Sequence, residues 1–122
     1  MSTRETVHSD VTVMVVDDEP RVCQLLQRIL REEGYQVLAA RSGRDAVALA
    51  LETRPHLILL DIVMPEMDGV ETLRELRRRG YGGIVIMLTA KGTLQTAREA
   101  MMLGAYDYIT KPFNLEFLKS VL

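Results

Sequence analysis

Five polar side chains stand at or just after the ends of short apolar runs in this sequence. They are Asp17, Asp18, Asp61, Thr89 and Lys111. Each run has the length and the aliphatic content of a buried β-strand. If the strands are parallel, their carboxyl ends share one edge of the sheet, and the five side chains meet there. The sequence therefore predicts one polar site at that edge.

Carboxylates gathered in this way favour metal-assisted phosphoryl transfer. Asp17, Asp18 and Asp61 repel one another unless a cation lies among them. Mg²⁺ prefers hard oxygen ligands and commonly uses one or two carboxylates together with water and phosphate oxygens. Asp61 would then give one oxygen to the metal and attack phosphorus with the other, which forms an acyl phosphate. The Thr89 hydroxyl and the Lys111 ammonium would bind the phosphoryl oxygens.

The order of the predicted elements decides whether these residues can meet. Strands are predicted over residues 11–16, 36–40, 57–60, 84–88 and 107–109. Segments with apolar residues three and four apart lie between them, and this alternation indicates a parallel sheet with helices. We therefore expect an α/β fold in which a five-stranded parallel sheet, of order 2-1-3-4-5, is doubly wound with helices on both faces.

Several residues mark the expected helix ends. Pro20 suits a first helical turn, and Gly34 and Gly104 suit positions just past a helix end. Ser42 and Asp68 are expected N-caps. The basic run of residues 77–79 is interpreted as a solvated helix end rather than a nucleic-acid patch.

The composition of the chain limits its number of domains and the kinds of partner it can bind. A chain of 122 residues with 48% hydrophobic content is expected to form one domain, over residues 11–122, after a disordered tail of residues 1–10. The net charge of −2 gives no general attraction to nucleic acid, and no membrane association is expected. The single cysteine, Cys23, is interpreted as a core residue in a cytoplasmic protein.

The functional motifs together resemble the receiver domain of bacterial two-component response regulators. The resemblance covers residues 11–122 and rests on Asp17-Asp18, Asp61, Thr89-Ala90 and Lys111-Pro112-Phe113, in this order and at these intervals. It implies that Asp61 is the phosphoacceptor and that Asp17, Asp18 and the backbone carbonyl of Val63 hold Mg²⁺ with it. Thr89 and Lys111 would bind the phosphoryl group, and Tyr108 would be the aromatic residue that turns inward when Thr89 moves. The resemblance also implies a cis peptide bond between Lys111 and Pro112.

The resemblance further implies a switch that catalyses its own phosphorylation and dephosphorylation and is not a turnover enzyme. A sensor histidine kinase or a phosphotransfer protein would be the donor, and phosphorylation would alter the face of helix four, strand five and helix five. The output would be transcriptional, through another domain, with a phosphorylation-dependent homodimer as one possibility. The last helix, which starts near Asn114, is still in its apolar pattern at Leu122, so we expect it to be truncated.

Three other functions were weighed against this one. A phosphatase of the haloacid dehalogenase type usually has a second aspartate two residues after its nucleophile, where this chain has Val63. A receiver-like domain that is never phosphorylated is disfavoured because the acidic residues and Lys111 are all present. A dinucleotide or flavin binder is disfavoured because no G-x-G-x-x-G follows the first strand. The resemblance to receiver domains also implies that Val63 and Lys91 tune hydrolysis of the phosphoryl group.

Overall fold

The computed structural model describes residues 10–90 and 94–111. The strands are β1 (Thr12–Val16), β2 (Gln36–Ala40), β3 (Leu57–Asp61), β4 (Ile84–Ala90) and β5 (Asp107–Lys111). The helices are α1 (Pro20–Glu32), α2 (Gly43–Thr53), α3 (Gly69–Arg78) and α4 (Leu94–Met102). None of these described helices is long and apolar enough to cross a membrane. The predicted last helix and the Lys111–Pro112 bond lie outside the described residues.

The five strands form one parallel sheet in the order β2-β1-β3-β4-β5, so the predicted topology is confirmed. Val16 at the end of β1 pairs in register with Leu60, one residue before the end of β3. Asp61 in turn pairs with Leu88 of β4. The carboxyl ends of the three central strands therefore lie side by side at one edge.

Side chains alternate between two apolar layers, as the pleat of a strand requires. Met14 and Leu60 belong to the layer that packs against α2, α3 and α4. Val15 and Leu59 belong to the opposite layer, which packs against α1. Helices thus cover both faces of the sheet, and the strands are apolar on both sides because both are buried.

The predicted helix ends agree with the structure. Ser42 caps α2 by accepting a hydrogen bond from the backbone N–H of Asp45, at 3.1 Å. Asp68 and Glu71 form a reciprocal capping box at the start of α3. Gly34 and Gly104 have φ angles of 97° and 90°, the left-handed backbone that glycine adopts without a Cβ clash.

The ends of α3 and α4 show details that the helical pattern does not give. Met101 follows Ala97 at the four-residue spacing that indicates a buried helical face, but 40% of its surface is exposed, and Met102 is 89% exposed. The buried face of α4 instead passes through Ala100, whose small side chain is fully covered. At the end of α3, Arg78 and Arg79 are exposed, as a solvated helix end requires. Arg77 is half-buried instead and bonds to backbone carbonyls of two loops.

Candidate functional site

Three carboxylates converge at the carboxyl edge of the sheet. Asp17, Asp18 and Asp61 each offer an oxygen, and these oxygens all lie within 4.8 Å of one another. Asp17 is fully buried and Asp61 is 5% exposed, whereas Asp18 is half-buried. The convergence follows from topology, since β1 and β3 are neighbours and end at the same level.

The turn from β1 into α1 fixes Asp17. Its backbone N–H donates to the carbonyl of Ala40 at 3.3 Å, which carries the pairing with β2 one residue beyond β1. Its side-chain Oδ1 accepts a hydrogen bond from the N–H of Glu19 at 2.9 Å. Pro20 follows at the first helical position of α1. The carboxylate is therefore oriented by the backbone that starts the helix.

Backbone hydrogen bonds of the loop between β3 and α3 fix the position of Asp61. The N–H of Ile62 donates to the carbonyl of Leu88 at 3.0 Å, and the N–H of Gly69 donates to the carbonyl of Ile62 at 2.7 Å. A Cβ on Gly69 would lie 2.3 Å from the backbone oxygen of Asp61, well inside van der Waals contact. Glycine at this position lets α3 begin directly against the backbone that carries Asp61. The apolar periodicity of the sequence gives no sign of this contact.

The remaining predicted site residues lie around this edge. Val63 is in the loop after Asp61, and 59% of its surface is exposed. Thr89 is buried near the end of β4. Lys111 is the last residue of β5 and pairs in register with Ala90, but its side chain lies outside the described part of the structure, as do Lys91, Pro112 and Phe113.

Tyr108 is half-buried on β5 and packs against the apolar layer beneath α2, α3 and α4. Its backbone N–H donates to the carboxylate of Asp107 at 2.8 Å. It pairs in register with Met87 of β4. Tyr108 thus lies in the strand next to the one that carries Thr89.

The acidic cluster fits a small divalent cation. Carboxylate oxygens are the hard donors that Mg²⁺ prefers, and three residues supply them from within one small volume. Gathering ionised groups away from water is costly unless they are paired or bind a metal. Asp17 and Asp61 are both buried, so a cation would relieve their mutual repulsion. The residues present therefore fit the metal that the sequence predicts.

Cys23 lies on α1 close to this cluster but fits the core interpretation. It is 2% exposed and forms part of the floor of a groove of about 630 Å³ between α1 and α2. Burial raises the pKa of the Cys23 thiol, and the negative charge of Asp17 raises it further. The thiolate is the nucleophilic form, so the burial of Cys23 and the raised pKa of its thiol both agree with a packing role.

Comparison with known proteins agrees with the fold and shows the family. The family described as the response regulator receiver domain matches residues 13–122. The chain is 40% identical, over 106 residues, to the probable transcriptional regulatory protein TcrX of Mycobacterium tuberculosis, covering 87% of this chain and 45% of that protein. It is 39% identical, over 115 residues, to the transcriptional regulatory protein ZraR of Escherichia coli, covering 94% of this chain and 26% of that protein.

Solved structures show the same fold. The chemotaxis protein CheY4 of Vibrio cholerae superposes with a TM-score of 0.83 at 32% identity, covering 91% of this chain and 95% of that one. The chain spans less than half the length of the curated regulators TcrX and ZraR. The order of its strands is also that of the chemotaxis-type receiver fold. On the match over residues 13–122, this chain belongs to the response regulator receiver domain family.

Proposed function

We propose that this chain is a phosphoacceptor switch in which Asp61 receives a phosphoryl group from a sensor histidine kinase or a phosphotransfer protein. The observation that carries the proposal is the convergence of the oxygens of Asp17, Asp18 and Asp61 within 4.8 Å of one another. A carboxylate nucleophile beside other acids needs a cation, and a divalent cation is also what a transferring phosphoryl group needs.

The transfer exchanges one bond to phosphorus for another. An Asp61 carboxylate oxygen attacks phosphorus, the bond from phosphorus to the donor's imidazole nitrogen breaks, and that nitrogen departs with the electron pair. The product on this chain is an aspartyl phosphate. Bound Mg²⁺ would neutralise charge on the phosphoryl oxygens. Asp18, Asp61 and the carbonyl of Val63 are the proposed direct ligands, with Asp17 acting partly through water.

The residues around Asp61 have distinct roles in this proposal. The hydroxyl of Thr89 donates to a phosphoryl oxygen, and the ammonium of Lys111 balances the charge of another. The β3–α3 loop fixes the direction of attack, because the N–H of Gly69 ties the loop back to Ile62 at 2.7 Å. Val63 offers no acid or base to a leaving group, and this disfavours a turnover phosphatase.

The proposed output is transcriptional and lies in another domain. TcrX and ZraR are named as transcriptional regulators and are longer than the segments that match this chain. The region of α4 and β5 exposes large apolar side chains, Met101 and Met102 of α4 and Tyr106 just before β5, with exposures of 40%, 89% and 63%. We propose that phosphorylation promotes homodimer formation through this face, in a cytoplasmic protein whose receiver domain itself contacts neither nucleic acid nor membrane.

Mass spectrometry after treatment with acetyl phosphate and MgCl₂ tests the central step. We expect the mass of one phosphoryl group on the wild-type chain, mapped to Asp61, and none after treatment in EDTA. Asp61→Asn should remain unmodified. Asp10→Asn is the matched control, because Asp10 is an exposed acid outside the cluster. Phosphorylation of Asp61→Asn at the wild-type level would overturn the proposal.

A further inference from the structure

Arg77 joins two loops at the edge of the sheet opposite the acidic cluster. Its Nη1 donates to the carbonyl of Tyr81 at 2.7 Å and to that of Gly83 at 3.0 Å. Its Nη2 donates to the carbonyl of Gly104 at 3.0 Å. The first two carbonyls belong to the connection from α3 to β4, and the third belongs to the connection from α4 to β5. One guanidinium therefore ties together the segments that precede two neighbouring strands.

Tyr81, whose ring lies beside the Arg77 guanidinium, is itself firmly packed. Its guanidinium carbon lies 5.9 Å from the centre of the Tyr81 ring, within reach of a cation–π contact. The Tyr81 side chain is 2% exposed, and its hydroxyl donates to the carbonyl of Pro55 at 2.6 Å. The bond from Arg77 to Gly104 thus runs from this rigid base to the end of α4.

Helix α4 has little else to hold it in place among its described side chains. Ala100 is buried, whereas Arg98, Glu99, Met101 and Met102 are exposed. Segments with few buried apolar contacts can change position at modest cost, and the exposed Met101 and Met102 make the end of α4 such a segment. The bond from Arg77 to Gly104 then adds to the packing of Leu103 and Ala105 in the apolar layer in fixing the C-terminal end of α4.

We propose that Arg77 is a positioning residue that latches the α4–β5 connection, and that this latch favours the unphosphorylated arrangement. The inference rests on the proposed function. Phosphorylation of Asp61 would draw Thr89 toward the phosphoryl group and shift β4, α4 and β5 together. Any such shift that moves the carbonyl of Gly104 must stretch a hydrogen bond to a charged group, among the stronger kinds of hydrogen bond.

Two arginine-to-lysine variants distinguish the hydrogen bonds made by Arg77 from the effect of its positive charge. Arg77→Lys keeps the positive charge but loses the planar fork that reaches both loops. Arg78→Lys is the matched control, because Arg78 is the next residue of α3 and pairs with Glu75 of the same helix. Thermal melting of both variants establishes that they fold. Arg77→Gln is a second variant for the same measurements, since it removes the positive charge and retains a side-chain amide donor.

The decisive readout is the affinity for beryllofluoride in the presence of Mg²⁺, measured by calorimetry. We expect Arg77→Lys to bind about three- to tenfold more tightly than wild type, because the bound arrangement no longer competes with the latch, and Arg78→Lys to bind as wild type does. Amide hydrogen exchange at Ala105 and Tyr106, whose N–H groups bond to Ala100 and Val85, should become faster in Arg77→Lys alone.

The outcomes distinguish the two proposals. If wild type binds beryllofluoride and Arg77→Lys binds it equally or less tightly, the latch is overturned while the proposed function stands. If wild type does not bind it, the proposed function fails and the regulatory role of the latch fails with it. Unchanged exchange at Ala105 and Tyr106 in Arg77→Lys would show that Arg77 does not hold the connection at all.

Discussion

Thr89 and Tyr108 lie on the same face of the sheet, on adjacent strands. Tyr108 pairs in register with Met87, and Thr89 pairs with Thr110, so Thr89 is two residues nearer the carboxyl edge than Tyr108. Met87 and Tyr108 both pack in the layer beneath α2, α3 and α4, and strand alternation places Thr89 on that face as well. A displacement of Thr89 toward Asp61 would therefore change the space next to the Tyr108 ring.

This relationship predicts that Thr89 transmits phosphorylation to position 108. The chain contains no tryptophan, so Tyr108→Trp introduces a single fluorescent reporter. Addition of beryllofluoride and Mg²⁺ should change its emission, and Thr89→Ala in the same background should remove most of that change. Thr53→Ala is the control, because the Thr53 hydroxyl bonds to the carbonyl of Leu49 within α2. An equal change with and without the Thr89 hydroxyl would exclude this coupling.

Gly69→Ala is predicted to damage both stability and phosphorylation. At an open helical position alanine stabilises a helix by up to about 1 kcal/mol relative to glycine. Here the new Cβ would lie 2.3 Å from the Asp61 backbone oxygen, and overpacking of this kind costs about 1–3 kcal/mol. Urea unfolding measures the first effect, and the rate of modification by acetyl phosphate measures the second.

Gly82→Ala is the matched control for this clash. Apart from its two chain neighbours, no described residue has an atom within 4 Å of a Cβ built on Gly82, so the variant should have nearly wild-type stability and reactivity. If Gly69→Ala behaves like Gly82→Ala, the close approach of α3 to Asp61 does not constrain the site.

The sequence was sufficient to predict the sheet order and the meeting of the acidic residues. Asp17 and Asp61 each end an apolar run, and parallel strands bring such ends to one edge whatever the details of the loops. The contacts of Gly69 and Arg77 could not be read in this way. They join segments through loop geometry, in the case of Arg77 and Gly104 across 27 residues, and hydrophobic periodicity carries no information on such contacts.

Mg²⁺ is predicted to raise the melting temperature of the wild-type chain. A ligand that binds only the folded state stabilises it by about 2.7 kcal/mol at a concentration one hundred times its dissociation constant. Asp18→Ala should lose most of this shift, because it removes one of three carboxylates whose oxygens converge within 4.8 Å. Asp10→Ala, at an exposed acid outside the cluster, should retain it. An equal shift in both variants would count against the metal site.

Tyr81 is predicted to contribute stability that is lost at alkaline pH. Burial raises the pKa of Tyr81 from 10.0 to about 12, although the nearby Arg77 and Arg54 lower it. The folded-state pKa lies above the unfolded value, so between these two pH values the native state binds the phenol proton of Tyr81 more tightly than the unfolded chain does. The contribution is therefore complete below pH 10 and falls as pH rises toward about 12.

Urea unfolding across this pH range tests the contribution of Tyr81. Tyr81→Phe has no phenol to ionise, so its stability should fall less steeply with pH than that of wild type. Near neutral pH the same variant should be less stable by about 1 kcal/mol, since it loses the hydrogen bond to Pro55. Tyr106→Phe is the matched control, because it removes the same hydroxyl at a residue that is 63% exposed. Parallel slopes for Tyr81→Phe and wild type would contradict the assignment.

Val63 is predicted to prolong the phosphorylated state. Hydrolysis requires a water molecule held in line with the bond from phosphorus to the Asp61 oxygen, and orienting such a nucleophile is a large part of phosphoryl-transfer catalysis. Val63 is 59% exposed in the loop that follows Asp61, and its side chain has no polar atom to orient that water. Asparagine at this position offers an amide at little cost in packing.

Val63→Asn should therefore shorten the lifetime of phosphorylated Asp61 several-fold without preventing its formation. The lifetime is measured by removing acetyl phosphate and following the phosphorylated mass with time. Val63→Ala separates the amide from the loss of bulk, because it shortens the side chain without adding a polar group. If alanine accelerates the decay as much as asparagine does, access of water rather than its orientation governs hydrolysis. A lifetime unchanged in both variants would show that position 63 has no part in it.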